Sequence, residues 1–366
     1  MGRVLILTAS VGEGHDLPAR TLADQLRGEA PEVEVVVEDG LVALGPAFVL
    51  VNQQAPEVIF HRFHWVWDAA FWLFVRFPPS RSVTKWIVRR SGSRGVLRLV
   101  ERVQPDVIVS VYPMTTEVLG GLRRTGRLAV PVVAAITDLA AMHYWAAPGV
   151  DLHLVTHPES IDEVRRVAGR AAEVHVVHGL TRPEFSSPCD PQAARLALGI
   201  PLQGKLVLVS GGGWGVGDLG SAVEEALSFE EVSLVACLCG RNERLQAAMS
   251  ERYAGEPRVR VIGFTEHMSD WLAAGDALVH STAGLTVLEA YVRGCPTISF
   301  GWGRGHIRLN NEAFRRYGIA EVARSRPELV EALGDALGRR RTPGLALAAL
   351  PSAASLVLTL AGISGL

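Results

Sequence analysis

The sequence predicts an α/β protein of two doubly wound, Rossmann-like domains, and three observations support this fold class. Apolar runs rich in Val, Ile and Leu alternate with helical patterns along the chain, which is typical of parallel strands covered by helices on both faces. The order strand, glycine loop, helix occurs twice, over 8–19 and over 210–222. The chain also has 366 residues, too many for one ordinary hydrophobic core. We therefore expect two domains of this kind.

The predicted strands fall into two series on either side of a short linker. The first series is 4–8, 33–37, 107–111, 132–137, 152–156 and 174–177. The second series is 206–210, 233–238, 259–262, 277–279 and 297–300, and helical patterns occupy 19–27, 160–168, 222–227 and 285–293. The small, polar, proline-rich residues at 186–191 are typical of a linker. We therefore expect an N-terminal domain over 1–185, a C-terminal domain over 186–342, and a final helix within 343–366 that returns to the N-terminal domain.

Charge, cysteine content and the ends of the sequence exclude several protein classes. With 36 Lys and Arg against 38 Asp and Glu, a general nucleic-acid binder is not expected. The four cysteines form no CxxC pair, so we expect neither a disulfide scaffold nor a zinc site, and a reducing cytoplasm fits best. The apolar run at 4–9 is too short for a signal peptide. Pro351 and three glycines interrupt the uncharged stretch 343–366, which favours a docking helix over a membrane span.

Residues 60–98 differ from the rest of the chain in aromatic content and charge. A third of all aromatic residues lie within 60–77, and residues 60–98 carry eight Lys or Arg against the single acid Asp68. One interpretation is an interfacial segment, with aromatics at headgroup depth and cations drawn to anionic lipid. The other is a buried aromatic helix whose basic neighbours face water. Composition alone does not separate the two, because both produce an amphipathic pattern.

The first glycine turn, at 10–15, ends in Gly14 and His15. Glycines let the backbone approach a ligand, and a helix predicted to start near Leu17 directs its N-terminus toward the same space. The spacing is not the GxGxxG fingerprint of dinucleotide-binding domains. An accessible histidine with a near-neutral pKa is suited to removing a proton from a hydroxyl group. The alternative is a histidine near a helix start with no catalytic role.

Two further loops follow predicted strands of the C-terminal half. Four glycines lie within 211–215, so backbone N–H groups could hold phosphate oxygens there, although a tight packing turn would look similar. No GK[ST] follows, which excludes a P-loop ATPase. The second loop, at 281–284, leads into a helix on which Glu289 lies nearly one turn beyond Thr286. The Glu289 carboxylate could therefore project along the same helical face toward a ribose diol. By spacing alone, a solvated surface glutamate would explain Glu289 equally simply.

The order of these motifs resembles that of the GT-B glycosyltransferases that glycosylate diacylglycerol, namely the monogalactosyldiacylglycerol synthases and the processive diacylglycerol glucosyltransferases. The matching segments are SVGEGH, QPDVIVSVYPM, TDLAAMHYW, VDLHLVTHPES, GLTRPEF, CGRNERL, VIGFTEHM and STAGLTVLEAYVRGCPTI. The likeness is collinear from residue 1 to about residue 320. It implies a GT-B fold, in which the two domains face across a cleft, and a UDP-sugar-dependent hexosyltransferase of glycolipid synthesis.

The resemblance also implies roles for individual residues. On the acceptor side, His15 beside Gly14 would be the base, Asp138 would share the catalytic site, and His143 would line it. The aromatic segment lies where this family contacts the bilayer, which favours the membrane interpretation and gives Trp65, Trp67 and Trp72 that role. On the donor side the matching residues are Arg182 between the domains, Gly263 and Phe264 at the uracil, Gly284 and Thr286 at the diphosphate, Glu289 at the ribose, and His306 at the sugar. From the glycine loop described above, Gly213 and Gly215 are also expected at the diphosphate.

This chain departs from the family pattern at the donor sugar. The family's Gly-Gln-Glu appears here as Gly305-His306-Ile307, and an isoleucine side chain cannot accept a hydrogen bond from a sugar hydroxyl. The loop before Glu289 also differs, with Thr282-Ala283-Gly284 where the family has Pro-Gly-Gly or Ser-Gly-Ala. The resemblance therefore supports nucleotide recognition more strongly than the identity of the sugar.

The function expected from the sequence is an inverting transfer of a hexosyl group from a UDP-sugar to a lipid, with diacylglycerol as the expected acceptor. No cofactor or metal is expected, since no DxD-type motif lies at a strand end. The partners would be the UDP-sugar, the lipid and an anionic membrane surface, with no nucleic acid, and the enzyme would be cytoplasmic and peripheral on the inner face of the cell membrane. Two alternatives stay open: a sugar-nucleotide 2-epimerase of the same fold, and a non-catalytic UDP- or lipid-binding protein.

Overall fold

The protein is described from a computed structural model. The structure describes residues 2–10, 13–51, 73, 77–140, 142–178, 180–185, 187, 189–282, 284–301, 303, 306–339 and 349–363, with the backbone alone at 13 and 306. The chain divides into two compact units. The N-terminal unit comprises Met1–Arg182, Arg304–His306 and Ala348–Leu366, and the C-terminal unit comprises Pro183–Gly303 and Ile307–Leu347.

The N-terminal unit is built on a six-stranded parallel sheet with the strand order β2-β1-β3-β4-β5-β6. Its central strands are almost entirely buried because helices cover both faces of the sheet, which explains why they read as continuous apolar runs. All six strands predicted for this half are present, each within two residues of its expected ends. The strands are β1 Arg3–Thr8, β2 Glu34–Asp39, β3 Val107–Ser110, β4 Val132–Ile136, β5 Leu152–Val155 and β6 Val174–Val176.

The first helix of this unit begins earlier and runs longer than the sequence predicts, whereas the helix predicted at 160–168 is found at Ile161–Ala168. The first helix starts at Glu13 and not near Leu17, so His15 lies in its first turn and not in a loop before it. Pro18 lies inside this helix and has no N–H to donate to the Gly14 carbonyl. The helices are α1 Glu13–Glu29, α2 Gly40–Leu44, α3 Pro46–Val49, α4 Pro78–Val103, α5 Pro113–Arg124, α6 Met142–Trp145 and α7 Ile161–Ala168.

Two glycines allow the long helix α4 to pack closely against α2. A Cβ atom added at Gly95 would lie 1.9 Å from the carbonyl oxygen of Ala43, and one added at Gly92 would lie 2.4 Å from a methyl group of Leu44. Any larger residue would therefore push the two helices apart. The start of α2 is fixed by the Asp39 carboxylate, which caps the helix by accepting hydrogen bonds from its first amides.

The C-terminal unit contains a second six-stranded parallel sheet, with the order β12-β11-β10-β7-β8-β9. The five strands predicted for this half are present, and a sixth, β12, was not predicted because it has only three residues and an exposed first residue. The strands are β7 Lys205–Ser210, β8 Val232–Leu238, β9 Val259–Ile262, β10 Ala277–His280, β11 Thr297–Phe300 and β12 Glu321–Ala323. The helices are α8 Pro191–Leu198, α9 Leu219–Leu227, α10 Glu243–Arg252, α11 Met268–Ala274, α12 Leu285–Arg293, α13 His306–Arg316 and α14 Arg326–Gly338.

The last helix, α15 Ala353–Leu360, belongs to the N-terminal unit. Its buried face, with Val357 fully inaccessible to solvent, joins the same apolar cluster as Leu22 and Leu26 of α1. Two backbone hydrogen bonds to His178 fix the start of α15. The His178 amide donates to the Pro351 carbonyl, and the His178 carbonyl accepts from the Ala353 amide. The final helix thus completes the core of the first unit.

Candidate active site

Side chains that the sequence predicted for the acceptor site lie at the carboxyl edge of the N-terminal sheet. Strands β1 and β3 are neighbours although β2 lies between them in sequence, so the chain reverses its direction across the sheet at this pair. Open α/β sheets bind ligands at such a switch point, outside the carboxyl ends of the strands. His15 follows β1, whereas Val111 and Tyr112 follow β3, and the three residues meet there.

A hydrogen bond to the backbone orients the ring of His15. Its Nδ1 lies 3.1 Å from the backbone oxygen of Val111. Because a carbonyl oxygen can only accept, Nδ1 donates in this bond, and in the neutral ring the acceptor nitrogen is then Nε2. The ring is held between two aromatic rings: Tyr112 approaches edge-on with centroids 5.0 Å apart, and Trp145 lies at 5.6 Å. His15 is therefore oriented as a hydrogen-bond acceptor at Nε2.

Asp138 is connected to His15 through Trp145. The Trp145 indole Nε1 donates a 2.9 Å hydrogen bond to Oδ2 of Asp138, which follows strand β4. Trp145 is buried, at 1% exposure, so the bond satisfies an indole N–H that would otherwise be buried alone. The sequence predicted a catalytic role for Asp138, and the structure places one of its oxygens on the tryptophan that supports His15.

A buried cluster of hydroxyl groups holds the turn that supplies the Val111 carbonyl. The hydroxyl of Ser110 donates to the Tyr112 carbonyl at 3.0 Å, and Thr115 donates to the same oxygen at 2.7 Å. Thr116 in turn donates to the Ser110 hydroxyl at 2.8 Å. Burial also raises the pKa of Tyr112, with the Asp39 carboxylate adding to the effect, so this ring remains neutral. The turn after β3 is therefore rigid where it holds His15.

The other residues predicted on the acceptor side lie in α1, in α6 or outside the described residues. Gly14 is exposed in the first turn of α1, and His143 is half-buried in α6, two residues before Trp145. The predicted membrane-contacting residues Trp65, Trp67 and Trp72 lie outside the residues that the structure describes.

In the C-terminal unit the corresponding switch point lies between β7 and β10. The loop after β7, at 211–217, and the loop after β10 contact one another there. The Ser281 amide donates to the Ser210 carbonyl at 3.2 Å, and the Ser281 hydroxyl donates to the Val216 carbonyl. Gly217 has a φ of 109°, and a Cβ at this position would lie 2.3 Å from Cβ of Ser281. Glycine is thus required for the two loops to meet.

The predicted phosphate-loop glycines, Gly213 and Gly215, connect this loop to the end of β8. Gly215 has a φ of 58°, and a Cβ there would lie 2.2 Å from the carbonyl oxygen of Cys239. The Gly213 carbonyl accepts a 2.8 Å hydrogen bond from the Arg241 amide. Close packing therefore explains why residue 215 must be a glycine, whether or not a ligand binds there. The same packing holds the backbone of the loop in one conformation.

A buried histidine supports the second loop. His280 ends β10 with 1% exposure, and burial lowers its pKa to about 4, so the ring is neutral at physiological pH. Its Nε2 lies 2.8 Å from the hydroxyl oxygen of Thr282. A Cβ at Gly212 would also lie 2.8 Å from this hydroxyl oxygen. The Thr282 hydroxyl therefore lies between the two loops, at a position that the sequence did not assign to the site.

Helix α12 begins at this loop and carries three predicted donor-binding residues. Gly284 is its N-cap residue and has no side chain with which to cap the first amides. Thr286 is half-buried in the first turn, and Glu289 is 4% exposed one turn later. Glu289 is therefore not the solvated surface glutamate that the spacing allowed.

The remaining predicted donor residues lie at separate places. Gly263 and Phe264 follow β9, where the Phe264 ring is 49% exposed. Arg182 is half-buried and is the last residue of the N-terminal unit before the division. His306 is the first residue of α13, and its side chain lies outside the description.

No group of three or more His, Cys, Asp or Glu side chains that could hold a metal ion occurs within the described part of the chain. In the same residues no helix is long and apolar enough to cross a membrane.

Two family models match the chain, one in each half. The monogalactosyldiacylglycerol (MGDG) synthase model matches residues 15–180. The glycosyltransferase family 28 C-terminal domain model matches residues 206–360. The first match begins at His15 and the second includes both loops of the C-terminal switch point.

Among curated proteins, the chain is similar to processive diacylglycerol beta-glucosyltransferases. It is 22% identical to that of Staphylococcus carnosus (strain TM300) over 331 residues, which cover 90% of this chain and 83% of the relative. It is 23% identical to that of Bacillus pumilus (strain SAFR-032) over 336 residues, covering 92% and 86%. The similarity thus extends through both compact units.

Solved structures with the same fold include spinosyn rhamnosyltransferase SpnG complexed with thymidine diphosphate, with a TM-score of 0.61 and 15% identity over 98% of this chain and 100% of that one. Acinetobacter baumannii MurG has a TM-score of 0.61 and 16% identity, with both chains fully covered. Anabaena Alr3699/HepE in complex with UDP-glucose has a TM-score of 0.53 and 15% identity, covering 99% and 97%. These likenesses confirm the predicted GT-B fold.

Proposed function

We propose that this chain, which is a GT-B glycosyltransferase, moves a hexosyl group from a UDP-sugar to the hydroxyl group of diacylglycerol with inversion at the anomeric carbon. The relatives' names support diacylglycerol as the acceptor, and a solved neighbour holds UDP-glucose. The observation that carries the proposal is the geometry of His15, whose Nδ1 lies 3.1 Å from the Val111 carbonyl oxygen and whose ring packs against Tyr112 and Trp145. An oriented base of this kind is what attack by a lipid hydroxyl requires.

In the proposed step the acceptor oxygen forms a bond to the anomeric carbon while the bond from that carbon to the UDP oxygen breaks. The hydroxyl proton passes to Nε2 of His15, and UDP leaves with the bonding electron pair. Attack on the side opposite the leaving group inverts the configuration at this carbon. Trp145, held by Asp138, keeps the imidazole in place as it becomes charged.

The C-terminal unit supplies the groups that would stabilise the departing UDP. The amides at the start of α12 follow Gly284, and the loop at 211–217 is held rigid by its contacts with the β10 loop. Backbone N–H groups at a helix N-terminus attract anions, and they act without reorganisation when they are held in position. Glu289 would bind the ribose hydroxyls. We propose that these groups suffice without a metal ion.

The membrane-facing surface of the proposed enzyme is one face of helix α4. Val83, Trp86 and Ile87 are 56%, 61% and 50% exposed, and with Arg90 and Arg94 they recur at the spacing of a single helical face. Apolar residues beside cations favour insertion at an anionic lipid surface. We propose that this face binds the inner surface of the cell membrane and brings His15 to its lipid substrate.

The decisive experiment incubates the purified protein with radiolabelled UDP-sugars and vesicles containing diacylglycerol, with and without EDTA. Label in the organic phase with EDTA present supports a metal-independent transferase. An altered nucleotide sugar would indicate a 2-epimerase instead, and binding of UDP without either product would indicate a non-catalytic protein.

The variant that tests the base is His15→Ala. Turnover should fall by about 10²–10⁴-fold, because this is the usual contribution of a positioned general base, while the Kd for UDP stays unchanged. His175→Ala is the matched control, since this histidine lies on β6 with a 40% exposed side chain, and its Nε2 lies 3.1 Å from a carboxylate oxygen of Glu173. Unchanged turnover in His15→Ala would remove the proposed role.

A further inference from the structure

We propose, on the basis of the function just proposed, that Arg241 is a positioning residue that holds the Phe264 ring as a wall of the nucleobase site and so sets the preference for uracil over purines. The sequence analysis assigned no role to Arg241. It acts on the base through Phe264.

The first observation is the contact between the two side chains. Cζ of Arg241 lies 3.7 Å from the centroid of the Phe264 ring, which is the separation of a guanidinium group in van der Waals contact with an aromatic face. Both side chains are exposed, and 49% of the Phe264 surface remains accessible. An exposed phenylalanine held on one face by an arginine keeps its other face available for a second planar group, such as a nucleobase.

The second observation is that the backbone of Arg241 is attached to the glycine loop. Its amide donates a 2.8 Å hydrogen bond to the Gly213 carbonyl, and the next residue, Asn242, donates through Nδ2 to the Gly215 carbonyl at 3.3 Å. Gly240 has a φ of 60°, and a Cβ there would lie 2.3 Å from the Gly212 carbonyl oxygen. The Arg241 side chain therefore starts from a fixed point beside the proposed diphosphate loop and ends on Phe264.

The third observation is a polar group beside the same loop. A Cβ added at Gly263 would lie 2.6 Å from Oε1 of Gln246, so the Gln246 amide lies against this glycine. An amide both donates and accepts hydrogen bonds, as does the edge of uracil. Arg241 and Gln246 come from the segment after β8, and Gly263 and Phe264 from the segment after β9. The two neighbouring strands thus present an aromatic wall and an amide together.

A simpler role for Arg241 would be a counter-ion for the diphosphate. The two roles differ in their effect on nucleotides that share a diphosphate and differ in the base. A counter-ion contributes equally to UDP and GDP, whereas a residue that fixes the aromatic wall contributes mainly to the base that fits it. The ratio of the two dissociation constants therefore distinguishes the roles.

The experiment measures Kd for UDP and GDP by calorimetry, and kcat and KM for the UDP-sugar, in Arg241→Ala, Arg241→Lys and Phe264→Ala. We expect Arg241→Ala to raise the Kd for UDP about fivefold, the size of an exposed cation–π contact, with kcat unchanged and the preference for UDP over GDP reduced. Arg241→Lys should lose part of this preference although the charge remains, because lysine lacks the planar group. Arg244→Ala is the control, since it removes the same charge from an exposed position three residues along.

In the double variant Arg241→Ala with Phe264→Ala, the loss should equal that of Phe264→Ala alone, because the arginine acts through the ring. An equal loss for UDP and GDP, or full retention by Arg241→Lys, would show a counter-ion and overturn the proposal. No change in Arg241→Ala would also overturn it. If the unmodified protein does not bind UDP, the proposed function itself is wrong, which is a different outcome.

Discussion

Two buried histidines make the stability of the protein depend on pH. His153 in β5 is fully buried and His280 is 1% exposed, and burial lowers the pKa of each to about 4. The folded state favours the neutral ring, so the stabilisation is complete above the ordinary pKa of about 6.5 and is lost as the pH falls from there toward 4. We expect a loss on the order of 3 kcal/mol in the free energy of unfolding for each histidine.

Urea unfolding at several pH values between 7 and 4.5 measures this effect. His153→Gln should reduce the slope of stability against pH, whereas His175→Gln, a change at a half-buried position with a 40% exposed side chain, is the control. An unaltered slope in His153→Gln would show that this ring does not titrate on unfolding as described.

At the residue scale, the sequence pointed to His15 but not to the groups that hold it. The glycines around His15 are visible locally, because they imply close approach of the backbone. Tyr112 and Trp145 were within quoted motifs, yet their contact with His15 depends on β1 and β3 being neighbours, with β4 next in the sheet. Strand order is a property of the whole sheet, so no local spacing could show it.

At the element scale, helix α4 gives a testable account of membrane binding. Changing Val83, Trp86 and Ile87 to Ser should weaken cosedimentation with anionic vesicles at all salt concentrations, because it removes the inserted apolar area. Changing Arg90 and Arg94 to Gln should instead remove the salt-sensitive part, at about 1 kcal/mol for each cation that reaches the surface.

The matched control for the charge change is Arg124→Gln with Arg127→Gln. It removes two exposed cations from the same unit but from a different segment. All the altered positions are exposed, so the variants should fold normally and bind UDP as before. Equal vesicle binding by the α4 variants and the unmodified protein would show that this face does not contact lipid.

The ends of a helix were predictable where the glycines that flank it agree with its apolar periodicity. Helix α12 has the predicted ends, Leu285 and Arg293, because Gly284 and the left-handed Gly294 enclose it. Helix α4 was not delimited, since residues 60–98 were interpreted by composition, and its buried side includes the small residues Gly92 and Ser93 beside several Val and Leu. Small residues at a helix contact carry little hydrophobic signal, although they fix the packing.

At the scale of the whole molecule, the stability of the N-terminal unit should depend on its last helix. Val357→Ala creates a cavity in the cluster formed with α1 and should cost about 1–3 kcal/mol. Removing residues 349–366 should destabilise that unit further, while UDP binding by the C-terminal unit persists. Thermal unfolding combined with UDP calorimetry tests both, with Thr359→Ala on the exposed side of the helix as the control.

The repeated order of strand, glycine loop and helix predicts two domains, and prolines and serines predict where they meet. Prolines and serines indicated a linker at 186–191, whereas the compact units divide after Arg182. The reason is Phe185, which is 1% exposed and packs in the core of the C-terminal unit with Leu206 and Leu208. Phe185, together with hydrogen bonds from Arg293 and Ser269 to the Glu184 carbonyl, thus attaches the segment Pro183–Phe185 to the second unit.

The return of α15 to the first unit has a consequence for synthesis on the ribosome. Translation produces Met1–Arg182 first, and domains generally fold in the order in which they emerge. Here the first unit cannot bury the surface of α1 that faces Val357 until residues 353–360 have been translated, after nearly all of the second unit. The first unit is therefore completed only after most of the second has been made, and part of its apolar surface stays exposed during elongation.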